Sequence, residues 1–233
     1  MKKRLLAAVL IAVLTVLAAG CSKPEKAEVT FEPTGNALFL RTDGTVTSYV
    51  QEGGFDKAYY SAEELRTKYV APAVAEYNQA KAGVSYVTAD EVPEPASAGK
   101  GEEQEPKLVL PAAIDAVSLE NGTAILEMTY ATGADYIAFN QNQLPQGCQL
   151  WATPAAGQDV STYALTAVEG VKAPALEKIT EEDAKRKCFV ACIQVPGEVK
   201  VQGQILYISD AAVMTDDYTV KTDGSKPVYL IFE

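Results

Sequence analysis

The chain's 233 residues contain no histidine, so any chemistry it performs must be built from carboxylates, tyrosines, lysines or thiols. Ser-His-Asp and Cys-His arrangements, His-Glu-x-x-His zinc sites and imidazole proton relays are all excluded. A Gly-x-Ser-x-Gly elbow, a phosphate-cradling glycine loop ending in Gly-Lys-Ser/Thr and an EF-hand spacing are also missing, and no cofactor motif is present. Among the acids, Glu181, Glu182 and Asp183 are adjacent carboxylates. Paired acids of this kind hydrolyse glycosidic bonds without an imidazole, provided they stand about 5 to 9 Å apart. Because Thr180-Glu181-Glu182-Asp183 also has capping-box spacing, the amide dipoles of a helix first turn explain the same acids. Asp210, Asp216 and Asp217, with Asp223, gather near the C-terminal end and offer oxygen ligands of the calcium type, though without an ordered ligand spacing. Trp151 and Tyr136 are the candidate ligand-stacking aromatics, against a plain role as core anchors. Six of the twelve tyrosines lie between Tyr49 and Tyr86, a density that suits peptide or glycan recognition unless helix and strand packing absorbs them.

Thiol chemistry concentrates at two places. Cys148, Cys188 and Cys192 leave an odd number beyond Cys21, which allows one disulfide or none. On a strand Cys188 and Cys192 would lie about 13 Å apart, too far to bridge, and small buried hydrophobes describe them better. Cys21 is different. Lys2, Lys3 and Arg4 form a basic head, Leu5 to Ala19 is an apolar run with Thr15 its one polar member, and Leu17-Ala18-Ala19-Gly20-Cys21 closes it with small residues. That layout is a secretory signal peptide, since a fifteen-residue helix rises only about 22 Å against a hydrocarbon core of about 30 Å. The closing Leu-x-x-Gly-Cys resembles the lipobox of bacterial lipoproteins. The resemblance implies cleavage before Cys21, a diacylglyceryl thioether on its sulfur and a membrane partner reached through that lipid; two acyl chains anchor stably where one binds marginally.

Without the signal, 17 basic residues face 31 acidic ones. A surface so acidic excludes a nucleic-acid partner and would be repelled by anionic headgroups, so the lipid itself must be the anchor. Residues 21–36 read as a polar tether with Pro24 and Pro33. Residues 37–89 read as a subdomain of hairpin, helix and short strand. Ala37 to Thr42 and Thr45 to Val50 are strand-like around Asp43-Gly44, a two-residue hairpin signal. Ser61-Ala62-Glu63-Glu64 caps a helix towards Ala82 that should kink or break near Pro72. Its expected apolar side holds Leu65, Tyr69, Ala73 and Ala80, with Val70, Val74 and Tyr77 beside them, and a strand over Val84 to Thr88 should follow. Residues 90–107 carry six acids, three prolines and no aromatic, the composition of a flexible acidic linker or loop.

The segment 108–233 reads as a second α+β subdomain. Asn121-Gly122 pairs Leu119 with Ala124 and Val117 with Leu126 across a type I′ turn. Thr132-Gly133-Ala134-Asp135 opens a short helix, and Thr180 should open another running to Lys187. Strands are expected at Gln149 to Ala152, Tyr163 to Val168, Cys188 to Val195, Glu198 to Ser209 after a Pro196-Gly197 turn, Tyr218 to Lys221 and Pro227 to Phe232. Both residue parities are apolar in Phe189 to Ile193, Ile205 to Ile208 and Val228 to Phe232, which marks central strands. The predicted class is α+β: a mostly antiparallel sheet with about three helices in one unit or two small subdomains.

Two stretches taken together, Leu40-x-x-Asp43-Gly44-Thr45-Val46 with Tyr60-Ser61-x-x-Glu64-Leu65, and Val199-x-Val201-x-Gly203-x-Ile205-x-Tyr207-x-Ser209-Asp210 with Tyr229-x-Ile231-Phe232, resemble a group of uncharacterised lipoproteins of Gram-positive bacteria. The resemblance implies an extracytoplasmic, lipid-anchored location on the cell membrane and brings no active residues with it. The expected function is a non-catalytic binding or assembly role in the envelope, towards a protein, peptide or glycan. The alternative is a carboxylate-dependent hydrolase acting on cell-wall or dietary glycan, which requires two acids facing each other across a groove.

Overall fold

Asn121 and Gly122 both hold positive φ, 48° and 80°, and so close the tight turn between β3 (Ala112–Glu120) and β4 (Thr123–Tyr130). Leu119 pairs with Ala124 and Val117 with Leu126, the register the turn dictates. The first hairpin, β1 (Ala37–Leu40) to β2 (Val46–Gly53), closes differently from its sequence expectation. Its loop has three residues between Arg41 and Thr45, the Arg41 N–H donating to the Thr45 carbonyl at 3.0 Å. Only Gly44 is left-handed, with φ 85°. The reason is local: one Asp43 carboxylate oxygen accepts from both the backbone N–H and the hydroxyl of Thr45, which fixes Asp43 away from the conformation a two-residue turn needs.

The computed structural model describes residues 29–95, 106–182 and 184–233. Residues 1–28, which hold the segment read as a signal peptide and Cys21, lie outside that description, as do the middle of the acidic segment at 96–105 and Asp183. The remaining strands are β5 (Gln149–Pro154), β6 (Thr166–Ala167), β7 (Phe189–Gln194), β8 (Pro196–Val201), β9 (Ile205–Ile208), β10 (Val213–Asp216), β11 (Thr219–Asp223) and β12 (Val228–Phe232). They form a seven-stranded sheet in the order β10-β11-β8-β1-β2-β4-β3 and a five-stranded sheet in the order β5-β7-β12-β9-β6. Every pairing is antiparallel except β1 with β8. With three helices, the fold is α+β with mostly antiparallel sheet.

The three strands with apolar residues on both parities, β7, β12 and β9, are the central ones of the smaller sheet. One face, with Leu150, Ala191, Ile193, Leu230 and Phe232, packs against Leu38, Leu40, Val46, Met128 and Val199 of the larger sheet. The other face, with Val190, Leu206 and Ile231, is covered by Ala155, Val160, Ile179 and Cys188 of the connection between β5 and β7. Residues 31–233 are one compact unit. The larger sheet takes strands from both sides of the acidic segment, β1 lying between β2 and β8. Phe31 stacks on Phe39 with ring centroids 5.3 Å apart, so the packed unit includes the end of the segment read as tether. Val92 is buried with Leu110 and Ala113, so the start of the acidic segment also packs.

Several local expectations are corrected by long-range pairing. At Pro196-Gly197 no turn forms. The chain instead bends at buried Val195 and leaves β7 in the smaller sheet for β8 in the larger, a change of partners that local sequence does not carry. Tyr163 to Val168 forms one 3₁₀ turn, Ser161–Tyr163, and a two-residue strand. Val84 to Thr88 is not paired as a strand: the Val87 carbonyl accepts from the Ile114 N–H at 2.8 Å, and the Tyr86 carbonyl is taken by the Asn78 side chain.

The first helix, α1 (62–82), does not break. Ser61 caps it by accepting from the Glu64 N–H at 3.1 Å. Because Pro72 has no N–H for the Lys68 carbonyl, the turn before it, Leu65–Val70, takes π geometry, and the Ala71 N–H reaches back to the Arg66 carbonyl. One extra residue in the winding rotates the packing face. Leu65, Val74 and Asn78 are buried and Val70, Ala71 and Tyr77 pack against the core, while Tyr69, Ala73 and Ala80 of the expected stripe are left exposed. Gly83, left-handed at φ 70°, ends it.

Candidate functional site

β2, β3 and β4 are the longest strands of the larger sheet, and the rotation of α1 decides what covers their far end. On the core-facing side, Val50, Leu126 and Val117 form one cross-strand row, and Glu52, Ala124 and Leu119 the next. Nearer the middle of the sheet, Leu38, Met128 and Ile114 of the same face belong to the buried core. At the far end the face opens instead into a groove of about 510 Å³. Leu65 and Val70 of α1 form one wall with Tyr69, and the loop after β2 forms the other. That loop is held by the Phe55 N–H donating to the Gly122 carbonyl at 3.0 Å and by Tyr59 and Tyr60 N–H groups turning back on the Asp56 carbonyl. The Phe55 and Tyr60 rings meet edge to face, 5.4 Å apart at 82°.

Three large side chains along this groove remain open to solvent: Tyr69 is 60 % exposed, Val50 41 % and Tyr60 38 %. Packing therefore does not absorb the tyrosine cluster here. It absorbs Tyr77, whose ring lies edge-on to Phe139 and whose hydroxyl donates to the Asp135 carboxylate at 3.0 Å; burial and that carboxylate push its pKa well up. An apolar floor and aromatic walls with few polar groups are features that small-molecule sites share. Among the described residues Glu52 is the one charged side chain on the lining, and Gln143 adds an amide.

The residues nominated from sequence are dispersed. α2 (Gly133–Phe139) forms where expected, its Thr132 hydroxyl accepting from the Asp135 N–H at 3.0 Å. Tyr136 on it packs edge-on to Tyr130 at 5.3 Å, and burial pushes its hydroxyl up to about 12. Trp151 is half-buried on β5, 6.5 Å from the Tyr229 ring, and lines a separate cavity of about 420 Å³ with Ile137 and Cys148. Tyr136 lines neither this cavity nor the groove. Among the described residues no three Asp, Glu or Cys side chains are placed to hold a metal. The Asp216 carboxylate is already used by the Tyr218 N–H and the Thr219 hydroxyl. α3 (Leu176–Thr180) ends where a helix was expected to begin, and the Thr180 hydroxyl donates backwards to the Leu176 carbonyl at 3.2 Å. Glu181 and Glu182 thus follow a helix C-terminus, and amide dipoles do not explain them. Burial raises the Cys192 thiol to about 11, and Cys148 is raised by the same cause.

A pair of acids that the sequence did not single out does stand together. The register of β3 on β4 shifts between Ile114 and Ala116, leaving Asp115 as the extra residue of a bulge beside Glu127. Asp115 accepts from the Thr129 hydroxyl at 2.7 Å. Loss of hydration between the strands raises Asp115 above the usual carboxylate range although its edge meets solvent. The same cause raises Glu127, with Asp115 adding to it. The two acids sit side by side on neighbouring strands of the sheet's outer face, with Arg41 nearby, and not across a groove.

No family model, no curated protein and no solved structure matches the chain. What the site does must therefore be read from its own geometry.

Proposed function

We propose that this is a lipid-anchored, extracytoplasmic protein of the cell envelope whose role is non-catalytic binding, with the ligand held in the aromatic groove. The observation that carries the binding half is the groove's exposed apolar and aromatic surface: Val50, Tyr60 and Tyr69 stay open at the end of a sheet face whose middle, at Leu38, Met128 and Ile114, is buried. Monomeric proteins leave large contiguous apolar surface open mainly where something else covers it. The anchoring half rests on the resemblance of Leu17 to Cys21 to a lipobox. Replacing the sulfur tests it: Cys21→Ser is expected to abolish palmitate incorporation and release the protein from the membrane fraction, and a variant still acylated and still membrane-bound would refute the anchor.

One observation favours the hydrolase reading, the raised pKa values of Asp115 and Glu127, since a catalytic acid needs such a shift. Their side-by-side placement opposes it, because attack on a glycosidic bond requires carboxylates on opposite sides of the sugar ring. Glycan turnover that disappears in Asp115→Asn would reinstate it.

A further inference from the structure

The chemistry of the groove lining narrows its ligand. We propose that the ligand carries a quaternary ammonium group, an inference that rests on the groove being the binding site. Three aromatic side chains, Phe55, Tyr60 and Tyr69, line one apolar space. Phe55 and Tyr60 are nearly perpendicular, at 82°, so their planes form a corner, and Tyr69 rises from the helical wall. The edge-to-face pair leaves a π face of the edge-on ring free, and the exposed Tyr69 ring offers another, so a cation in the groove can meet a negatively polarised ring face. Among the described residues the only charge on the lining is the carboxylate of Glu52, and no lysine or arginine lines the groove. Nearby Lys68 is already held by Glu64 at 2.6 Å. The net charge of the chain, −11, attracts cationic ligands.

Hydrogen-bonding capacity separates one kind of cation from another. A primary ammonium brings three donors and a guanidinium five, each costly to strip of water without an acceptor. The lining offers Glu52, Gln143 and the two tyrosine hydroxyls against a majority of aliphatic and aromatic groups such as Val50, Leu65 and Leu126. A quaternary ammonium has no donors to satisfy, and its methyl groups can lie against apolar floor and ring faces alike. At about 510 Å³ the space also admits an apolar or aromatic body beyond the cationic head.

The test uses a soluble form starting at Ser22, which retains the whole compact unit 31–233. Its binding by titration calorimetry is compared for choline, its neutral carbon isostere 3,3-dimethylbutan-1-ol, and Nα-acetyl-lysine amide. Choline is expected to bind at least about tenfold more tightly than either of the others. Glu52→Gln and Tyr69→Leu, both at exposed positions, should each weaken it by about fivefold, the equivalent of one cation–π or charge contact. Equal binding of choline and its isostere would overturn the proposal while leaving the groove as an apolar site. Tighter binding of the lysine derivative, or no binding of choline, would overturn it as well. In that case the broader ligand comparison with a blocked groove still decides whether the groove binds anything.

Discussion

Asn78→Ala is expected to lower stability by about 4 kcal/mol and the melting midpoint by roughly 10 °C. Asn78 is fully buried on α1, yet every polar atom of its side chain is used. Its amide nitrogen donates to the Tyr86 carbonyl at 2.8 Å and the Ala112 carbonyl at 2.7 Å, and its oxygen accepts from the Ala112 N–H at 3.0 Å. These bonds do for the edge strand β3 what a further strand would do, pairing both backbone groups of Ala112 where the sheet ends. Alanine would leave the two buried backbone groups of Ala112 and the part-buried Tyr86 carbonyl without this partner, each buried group costing about 1 to 3 kcal/mol. Urea and thermal unfolding would measure the loss, and a change below about 1 kcal/mol would mean that water replaces the side chain. Since α1 also forms the wall of the groove, the same variant should loosen ligand binding, which Ala80, on the exposed side of that helix, should not do when replaced by serine.

Gly133→Ala is expected to cost about 3 kcal/mol, in the opposite direction to helix propensity. Gly133 opens α2, where alanine would ordinarily gain about 1 kcal/mol. A methyl group there, however, falls onto the backbone carbonyl of Leu150 in β5, and backbone cannot rotate away as a side-chain tip would. The residue is glycine because helix and strand approach too closely for a Cβ, not because the turn demands positive φ. Gly53→Ala supplies the control: its Cβ meets nothing within 4 Å, and it should be close to neutral. A Gly133→Ala protein of unchanged or higher stability would show that α2 can lift off β5 without cost.

These positions differ in how much the sequence reveals. Asn121-Gly122 was legible because both turn residues must reach positive φ and the dipeptide supplies them. Asp43-Gly44 has a similar composition, and a single carboxylate bonded to Thr45 converted it to a three-residue loop. The central strands β7, β9 and β12 were legible from their two-sided apolar pattern. The crossing at Val195 was not, because β8 takes its place beside β1, far away in the chain, and neither segment names its partner. Pro72 announced trouble in α1, but whether a proline breaks a helix or shifts it into a π turn depends on what the rotated face can bury. That shift is also why the groove was half visible. The tyrosine cluster signalled recognition, but with α spacing Tyr69 belongs on the packed stripe, and only the extra residue turns it out to the groove. Asp115 was invisible, since a bulge leaves no mark in the alternation of β3 beyond one misplaced acid.

The claim on which the account depends is that the groove is where the ligand binds, and Val50→Arg tests it most directly. Val50 is partly exposed on the groove floor, so an arginine fills the space and crosses the aromatic walls while disturbing stability by no more than about 0.5 kcal/mol. The measurement is the thermal midpoint of wild type and variant, side by side, against quaternary ammonium compounds, peptides, peptidoglycan fragments and sugars. A bound ligand at 100 times its dissociation constant adds about 2.7 kcal/mol, which moves the midpoint by roughly 5 to 10 °C in wild type. The account predicts such a shift for one class in wild type, its disappearance in Val50→Arg, and equal midpoints for the two proteins without ligand. A shift that persists undiminished in Val50→Arg, or the absence of any shift in wild type, would contradict it.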